Sequence, residues 1–283
     1  MKKWKTLLLI LIFLAGLSLL LYPPISNYVN SMNSTRLVAD YVENVSQMEG
    51  VRRQEILEEA YAYNKELAAR PFRLGLSDEE QERYEKILDV SGTGVMGYVE
   101  IPKIDISLPI YHGTGDEILE TAIGHLAGTS IPVGGESTHS VLTGHTGLPR
   151  AKLFTDIREL AEGDIFNIQI LNETLTYEVD QIRKVLPGVT EDLVITEGED
   201  YCTLLTCTPY GINTHRLLIR GHRIETERTA IIRLSANALQ IDPLVVIPFM
   251  ALPILLILFL LVMLKPTRSK NIEKQLKELQ EAP

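Results

Sequence analysis

The sequence predicts a mainly β domain, either a closed barrel or a sandwich, that follows a helical region and lies between two membrane-spanning segments. Seven short β-prone runs, separated by Gly, Pro, Asn or Asp, occur between residues 97 and 224. Apolar residues at helical spacing precede these runs, and an uncharged apolar stretch stands near each end of the 283-residue chain. Many short strands with few helices are typical of closed barrels and sandwiches.

The two apolar stretches, residues 7–22 and 244–264, predict a membrane helix near each end. The second has 21 residues without a charge. At about 1.5 Å per residue, that length crosses a hydrocarbon core of about 30 Å. The first follows a lysine-rich start, as in signal peptides, but no small-residue cleavage site follows it. We therefore expect an uncleaved anchor at 6–22, a second span at 244–264, and terminal segments at 1–5 and 265–283.

Basic residues predict which side of the membrane each segment occupies. Lysines precede the first span, and a Lys/Arg cluster at 265–270 follows the second. The positive-inside rule then puts both termini in the cytoplasm and the domain between the spans outside the cell. The sequence therefore predicts a protein of the cell membrane whose folded domain is extracellular.

The chain is acidic, with a formal net charge of −10, and residues 23–243 hold 34 acidic side chains against 19 basic ones. A nucleic-acid partner is therefore not expected, because phosphate neutralisation needs a basic surface. Hydrophobic residues make up 45% of the chain, which excludes wholesale disorder.

Residues 23–96 predict helices. Two apolar stripes at helical spacing are formed by Leu37, Tyr41 and Val45, and by Ile56, Ala60, Tyr63 and Leu67. Gly50 is expected to separate the two helices, and the pattern stops before Pro71, because the residue before a proline disfavours the helical conformation. Ser77 and Glu80 form a capping-box pattern that opens a short helix to about residue 88.

The β-prone runs begin after Gly92 and Gly94, which mark a break in the helical pattern. Strands are predicted at residues 97–101, 106–111, 140–142, 165–171, 174–184, 202–207 and 216–224. Short helices are predicted at 118–123 and 151–154, and a linker at 226–243 joins the domain to the second span.

Cys202 and Cys207 are the only cysteines of this predicted extracellular domain. Five residues along a strand span about 16 Å, whereas a disulfide needs Cα atoms within about 7 Å. Their opposite parity also places the two side chains on opposite faces of a strand. We therefore expect two unpaired thiols, one of which is a candidate nucleophile.

Cys207 ends a β-prone run just before a Pro-Tyr-Gly turn, so its thiol is expected to be accessible. A cysteine nucleophile needs a proton-transfer partner and a stabiliser for the oxyanion of the tetrahedral intermediate. Arg216 enters the next strand and could return alongside Cys207, with a guanidinium that is always charged and presents fixed donors.

The proton-transfer partner must come from the six histidines. His145 stands in Thr-Gly-His-Thr-Gly-Leu-Pro at the end of a predicted strand, where two glycines would allow a substrate to approach the backbone closely. His215 adjoins Arg216 and would point to the opposite face of its strand. The residues alone favour His145 and leave His215 open.

Two motifs resemble segments of a known protein family. The run Leu-Leu-Thr-Cys-Thr-Pro-Tyr-Gly-Ile-Asn-Thr-His-Arg-Leu-Leu-Ile-Arg-Gly resembles the active-site strands of the sortases, specifically class C, the pilin-polymerising sortases. Thr-Gly-His-Thr-Gly-Leu-Pro-Arg-Ala-Lys-Leu-Phe is similar to the family's histidine segment. The resemblance covers roughly residues 34–265 and assigns the catalytic roles to Cys207, His145 and Arg216.

The resemblance implies an eight-stranded sortase-type barrel at residues 97–225, after an amino-terminal helical region with a lid at about 69–76. It implies cleavage of a Leu-Pro-x-Thr-Gly-like sorting signal after Thr, through a thioacyl-enzyme. A pilin lysine then resolves the intermediate, giving an isopeptide-linked polymer. Pilin subunits are the implied partners, and neither a cofactor nor a metal ion is expected, because no metal-ligand spacing occurs in the sequence. Cys202, His215 and His125 are interpreted as structural.

The predicted lid departs from the family pattern. Class C lids resemble one another in an Asp-Pro-aromatic sequence, whereas this chain has Arg70, Pro71 and Phe72. An arginine there would repel Arg216 instead of pairing with it, so we expect a lid that is present but loosely held. The alternative is that these residues merely end a helix.

Three other functions stay open at this point. A housekeeping sortase would use the same chemistry with a cell-wall peptide amine as acceptor. A non-catalytic surface adaptor would use the barrel to hold a peptide, although the intact Cys, His and Arg set argues against it. A papain-like hydrolase is disfavoured because His145 precedes Cys207, whereas that family places the cysteine first.

Overall fold

The computed structural model describes residues 2–149 and 151–226, and its centre is a closed barrel of eight strands. The strands are β1 (Val95–Ile101), β2 (Ile106–His112), β3 (Ile123–His125), β4 (Thr138–Thr143), β5 (Ile165–Ile170), β6 (Glu173–Val185), β7 (Asp200–Thr208) and β8 (His215–Ile224). Around the barrel they follow the order β1-β2-β3-β4-β7-β8-β6-β5. The structure thus decides for a barrel over a sandwich. Most of the predicted linker, the second span and the carboxy-terminal tail lie outside the described residues.

In the described part of the chain, four α-helices accompany the barrel: α1 (Lys2–Gln47), α2 (Gly50–Ala68), α3 (Asp78–Lys86) and α4 (Asp116–Leu119). The predicted anchor and the first predicted helix are parts of one continuous helix, α1, which passes through Pro23 and Pro24. Within the described residues, one helical stretch, Ile10–Gln47, is long and apolar enough to cross a membrane. The capping box of α3 is confirmed: the Ser77 hydroxyl accepts from the Glu80 amide, and the Glu80 carboxylate accepts from the Ser77 amide at 2.7 Å.

Polar side chains of α1 and α2 fix both helices to the barrel. The buried Tyr41 hydroxyl donates to the Met96 carbonyl at 3.0 Å and accepts from the Leu171 amide at 2.7 Å. The Asn64 side chain donates to the Ile131 carbonyl and accepts from the Ile131 amide, at 2.9 and 2.7 Å. These hydrogen bonds fix the position of α1 and α2 along the barrel, which the packing of the apolar stripes alone would not determine.

Two predicted short helices are placed differently in the structure. The helix predicted at 118–123 ends at Leu119 and gives way to β3, a three-residue strand that the sequence did not predict. No helix forms at 151–154. Ala151 instead bridges to Leu148, and a 3₁₀ helix covers Thr155–Glu159. The reason is that the Phe154 amide donates to the carbonyl of His145, at 3.1 Å, which holds this segment against the histidine loop.

The side chains of strand β7 alternate between the inner and the outer face of the barrel. Cys202, Leu204 and Thr206 alternate on one face and are buried. Leu205 and Cys207 have the opposite parity and are half-buried. Because alternate residues of a strand share a face, Cys207 lies on the outer surface of the barrel, near the end of β7.

Candidate active site

Cys207 and Arg216 face each other across two neighbouring antiparallel strands. The register of β7 and β8 pairs them directly. Residues opposite each other in such a pair hold their Cβ atoms about 4.5–5.5 Å apart on one face. The register therefore brings the two predicted residues together although nine positions separate them in the chain.

The two cysteines are unpaired, as predicted, and their surroundings differ. Cys202 is fully buried inside the barrel, and this burial raises the pKa of its thiol well above the usual range. Cys207 is half-buried on the outer face. Since the thiolate is the nucleophilic form, Cys202 occupies an inert packing position, and Cys207 stays the candidate nucleophile.

His145 follows β4, which pairs in parallel with the strand that carries Cys207. Thr143 pairs with Leu205, and the amide of Gly144 donates to the Leu205 carbonyl at 3.1 Å, which extends the ladder past the end of β4. The Thr206 hydroxyl donates to the Gly144 carbonyl at 2.7 Å. Continuing this register by one more residue places His145 beside the Cys207 end of β7. Thr206 is a supporting residue that the sequence did not single out.

The glycines beside His145 lie close to side chains of the protein itself. A Cβ on Gly144 would lie 2.7 Å from two ring atoms of Phe154 and 2.9 Å from a methyl group of Ile123. Gly147 adopts a φ of +77°, and a Cβ there would lie 3.3 Å from the Tyr210 ring. Both glycines therefore allow protein side chains to pack closely on the histidine loop, and the expectation that they admit a substrate stays a prediction.

Arg216 turns toward its own loop. Its Nη1 lies 3.4 Å from the Asn213 carbonyl and 3.3 Å from the His215 carbonyl. His215 is exposed, and its Nδ1 lies 2.9 Å from the Thr214 hydroxyl. Within the described residues no hydrogen bond links the side chains of Cys207, His145 and Arg216; such contacts are often loose before a substrate binds.

Of the three buried histidines, His112, His125 and His139, the last two are the most deeply buried. His125 pairs through Nδ1 with the Tyr84 hydroxyl at 2.9 Å and through Nε2 with the Ser130 carbonyl at 2.8 Å. His139 pairs with the Thr203 hydroxyl at 2.7 Å. Burial lowers the pKa of His125 to about 3 and that of His139 to about 4. Both side chains are therefore neutral at pH 7 and serve as hydrogen-bonded supports.

The aromatic residue of the predicted lid packs on the same outer face as Cys207. Phe72 contacts an apolar cluster, called here the groove cluster, whose members are Val141, Val185, Leu193 and Leu218 with Leu126 and Leu205 at its margin. Leu205 stands two positions before Cys207 on β7, and Leu218 two positions after Arg216 on β8. Phe72 thus packs on the apolar cluster that Leu205 and Leu218 connect to the strands of Cys207 and Arg216.

Arg70 pairs with Glu80, not with Arg216. The Arg70 guanidinium donates to Glu80, and Arg73 donates to both carboxylate oxygens of Glu80 at 2.6 and 2.7 Å. The Ser77 amide and Arg73 together lower the pKa of Glu80 to about 2. The expected repulsion between Arg70 and Arg216 is therefore replaced by an ionic latch within the lid region. Glu80 was predicted only as a capping residue.

A cavity of about 710 Å³ opens beside the lid, lined by Arg70, Phe72, Thr138, Val194 and others. Thr138 begins β4, so the cavity lies at the other end of that strand from His145. Among residues 2–149 and 151–226, no group of three or more His, Cys, Asp or Glu side chains is placed to hold a metal ion.

Comparison with known proteins gives one consistent family. The family model described as the sortase domain matches residues 99–224. The crystal structure of sortase C1 from Streptococcus agalactiae is 49% identical, with a TM-score of 0.67, and the match covers 68% of this chain and 100% of that one. A sortase C structure from Clostridium perfringens, solved with a carboxy-terminal cell wall sorting motif, is 44% identical, with a TM-score of 0.60 and coverage of 68% and 100%.

A curated relative shares a shorter segment. Sortase D of Bacillus subtilis (strain 168) is 31% identical over 131 residues, which are 45% of this chain. The chain spans 63% of the length of that relative.

Proposed function

The chain belongs to the sortase family of cysteine transpeptidases, with class C sortases as its structural neighbours, and on this premise we propose that it joins pilin subunits into a polymer. The observation that carries the proposal is the register that sets Cys207 opposite Arg216, with His145 two residues past the end of the neighbouring strand β4. The proposed substrate is a Leu-Pro-x-Thr-Gly-like sorting signal, and the proposed acceptor is the amine of a pilin lysine.

In the proposed first step, the Cys207 thiolate attacks the carbonyl carbon of the signal's threonine. The Thr–Gly amide bond breaks, and a thioester forms between the threonine carbonyl and Sγ. His145 gives its proton to the departing glycine amine, which would otherwise be a poor leaving group. Its place beside the end of β7 suits this transfer, because the leaving nitrogen lies one bond from the attacked carbon.

In the proposed second step, the lysine amine attacks the thioester carbonyl. His145 accepts the proton of the incoming amine, the C–S bond breaks, and Cys207 is restored. The products are one isopeptide bond and a free thiolate, so the reaction needs no cofactor.

Arg216 is the proposed stabiliser of the oxyanion in both steps. To act, its guanidinium must turn from the carbonyls of Asn213 and His215 toward Cys207, across one strand pair. Loss of one oxyanion donor typically costs about 3–4 kcal/mol of transition-state stabilisation. Arg216→Ala is therefore expected to lower kcat on the order of 10²–10³-fold.

The proposed setting is the outer face of the cell membrane. The anchor at 6–22 lies within α1, and the barrel at 97–225 follows it outside the cell. The lid at about 69–76, with Arg70, Pro71 and Phe72, is proposed to cover the groove cluster until a pilin displaces it. The second span at 244–264 and the cytoplasmic termini complete this proposal.

The test uses the full chain in detergent micelles with a Leu-Pro-x-Thr-Gly peptide and either a lysine peptide or a cell-wall stem-peptide amine. Mass spectrometry measures the acyl adduct on Cys207 and the joined product. We expect an adduct that the lysine peptide resolves. Faster joining to the stem-peptide amine would instead support a function in wall anchoring. If native pilin also gives no adduct on Cys207, the proposed enzymatic activity is wrong.

Two variants provide matched controls. His145→Ala should abolish the joined product, whereas His215→Ala should keep it, because His215 is exposed and lies on the opposite face from Arg216. Equal loss in both variants would contradict the proposed role of His145.

A further inference from the structure

Two asparagines of α1 attach this helix to the catalytic end of the barrel. The side-chain oxygen Oδ1 of Asn27 accepts from the backbone amide of Lys152 at 2.9 Å. The side-chain nitrogen Nδ2 of Asn30 donates to the backbone carbonyl of Thr121 at 3.3 Å. Lys152 stands two residues before Phe154, whose amide is bonded to the His145 carbonyl. The helix that carries the predicted anchor therefore contacts the segment that holds His145.

Thr121 lies at the same end of the barrel. It stands two residues before β3, and β3 pairs with the last residues of β4, with Gly124 opposite Thr143. Strand β7 runs parallel to β4, so its Cys207 end also points this way. Both asparagine contacts thus fall at the end of the barrel where Cys207 and His145 lie.

The spacing along α1 sets the height of these contacts above the membrane. The apolar stretch of the anchor ends at Tyr22, five residues before Asn27. Five helical residues rise about 8 Å, and the head-group layer on each side of a bilayer is about 5–8 Å thick. Asn27 therefore lies at the outer edge of the head groups when α1 crosses the membrane.

Exposed apolar side chains stand at the same end. We call the loops at residues 144–149 and 209–214 the catalytic rim. In it, Tyr210 is 57% exposed and Ile212 is 67% exposed, and the Tyr210 ring lies against Gly147. The guanidinium of Arg158 lies over the Tyr210 ring at 5.7 Å from its centroid. An aromatic ring, an aliphatic side chain and a cation together are typical of surfaces at the bilayer interface.

We propose that the catalytic rim rests on the outer leaflet of the membrane through which α1 passes, with Tyr210 and Ile212 among the lipid head groups. The Asn27 and Asn30 contacts hold the rim at this height. The inference deepens the proposed function and rests on it for the reaction: it places Cys207, and the peptide bond to be cleaved, at the height of the lipid head groups.

The test measures lipid contact without any turnover. In the full chain with Cys207→Ala, Ile212→Cys is labelled with a nitrobenzoxadiazole fluorophore, and the protein is reconstituted into phosphatidylcholine vesicles with or without spin-labelled lipid. Val51→Cys is the matched control, because Val51 is 71% exposed and lies past the far end of α1. The Cys207→Ala parent is the labelling blank, since Cys202 is fully buried.

We expect the spin-labelled lipid to remove most of the emission at position 212 and none at position 51. Adding Asn27→Ala and Asn30→Ala should restore emission at 212 while the anchor keeps the protein in the vesicle. Equal quenching by spin-labelled lipid at positions 212 and 51 would overturn the proposal. So would a fluorophore at 212 that is shielded by a second protein and not quenched by the lipid. Because the labelled protein is inactive by design, this result is independent of whether the sorting peptide is processed.

Discussion

Replacing Gly144 by alanine would place a methyl group against the buried ring of Phe154, one residue before His145. The added Cβ would lie 2.7 Å from two ring carbons and 2.9 Å from a methyl group of Ile123. Carbon atoms in contact stand about 3.5–4.0 Å apart, so something must move by about 0.8 Å or more. Phe154 and Ile123 are both fully buried, which leaves the backbone at Gly144 as the part that yields.

The consequence falls on His145, which moves with the backbone of Gly144. Overpacking of this kind costs about 1–3 kcal/mol of folding free energy. A misplacement of about 1 Å in a catalytic group can cost about 10²-fold in rate. We therefore expect Gly144→Ala to lower kcat/KM on the order of 10²-fold, with an unfolding free energy lowered by about 1–3 kcal/mol.

Peptide turnover and urea unfolding, both in detergent, measure the two effects. Gly115→Ala is the control, because an added Cβ there is 3.9 Å from its nearest neighbour and the backbone φ of −65° suits alanine. The double variant Gly144→Ala with Phe154→Leu replaces the ring by a smaller side chain and should recover part of the lost rate. Wild-type turnover in folded Gly144→Ala would refute the reasoning, as would a rate loss that the second substitution leaves unchanged.

Further predictions concern the latch, the histidine loop and the buried histidines. Glu80→Gln removes the charge that pairs with Arg70 and Arg73, so alkylation of the Cys207 thiol by a neutral reagent at pH 7 should accelerate. An unchanged alkylation rate would show that this ion pair does not hold the lid. Thr206→Val deletes the bond to the Gly144 carbonyl, worth about 1–1.5 kcal/mol, so kcat should fall on the order of tenfold with KM nearly constant, and a change confined to KM would argue against this role. Two buried histidines have folded pKa values of about 3 (His125) and about 4 (His139), below the ordinary 6.5, so the unfolded chain binds more protons below pH 6.5. Stability should therefore decrease as the pH falls from 6.5 to 5, by up to about 1.4 kcal/mol per pH unit for each histidine, and His139→Gln should remove about half of this slope in urea unfolding; an unaltered slope would contradict the assignment.

Local rules were enough for much of the fold and for part of the site. Strand parity alone separated Cys202 from Cys207, because successive side chains of a strand point to opposite faces. The capping box at Ser77 was predictable because its two hydrogen bonds join residues only three positions apart. Chemistry favoured His145, while the pairing that places it required the fold.

The remaining features depend on tertiary context. Strand β3 has three residues, too few for a recognisable alternation, and it exists because β2 and β4 pair with it on either side. Arg70 was compared with Arg216, whereas an opposite charge was present ten residues away in Glu80. The missing helix at 151–154 follows from the backbone bond between Phe154 and His145, nine residues apart, which no local propensity encodes.

The candidate site is assembled from segments of very different sequence separation. Cys207 and Arg216 come together in one hairpin, which closes a short loop and is entropically inexpensive. His145 joins them only when β4 pairs with β7, as in the Thr206–Gly144 bond, which spans 62 residues. Contacts of high contact order are formed late and slowly. We therefore expect a folding chain to bring the thiol and the guanidinium into register before the imidazole joins them, so that the proposed acyl transfer begins only once the barrel has closed.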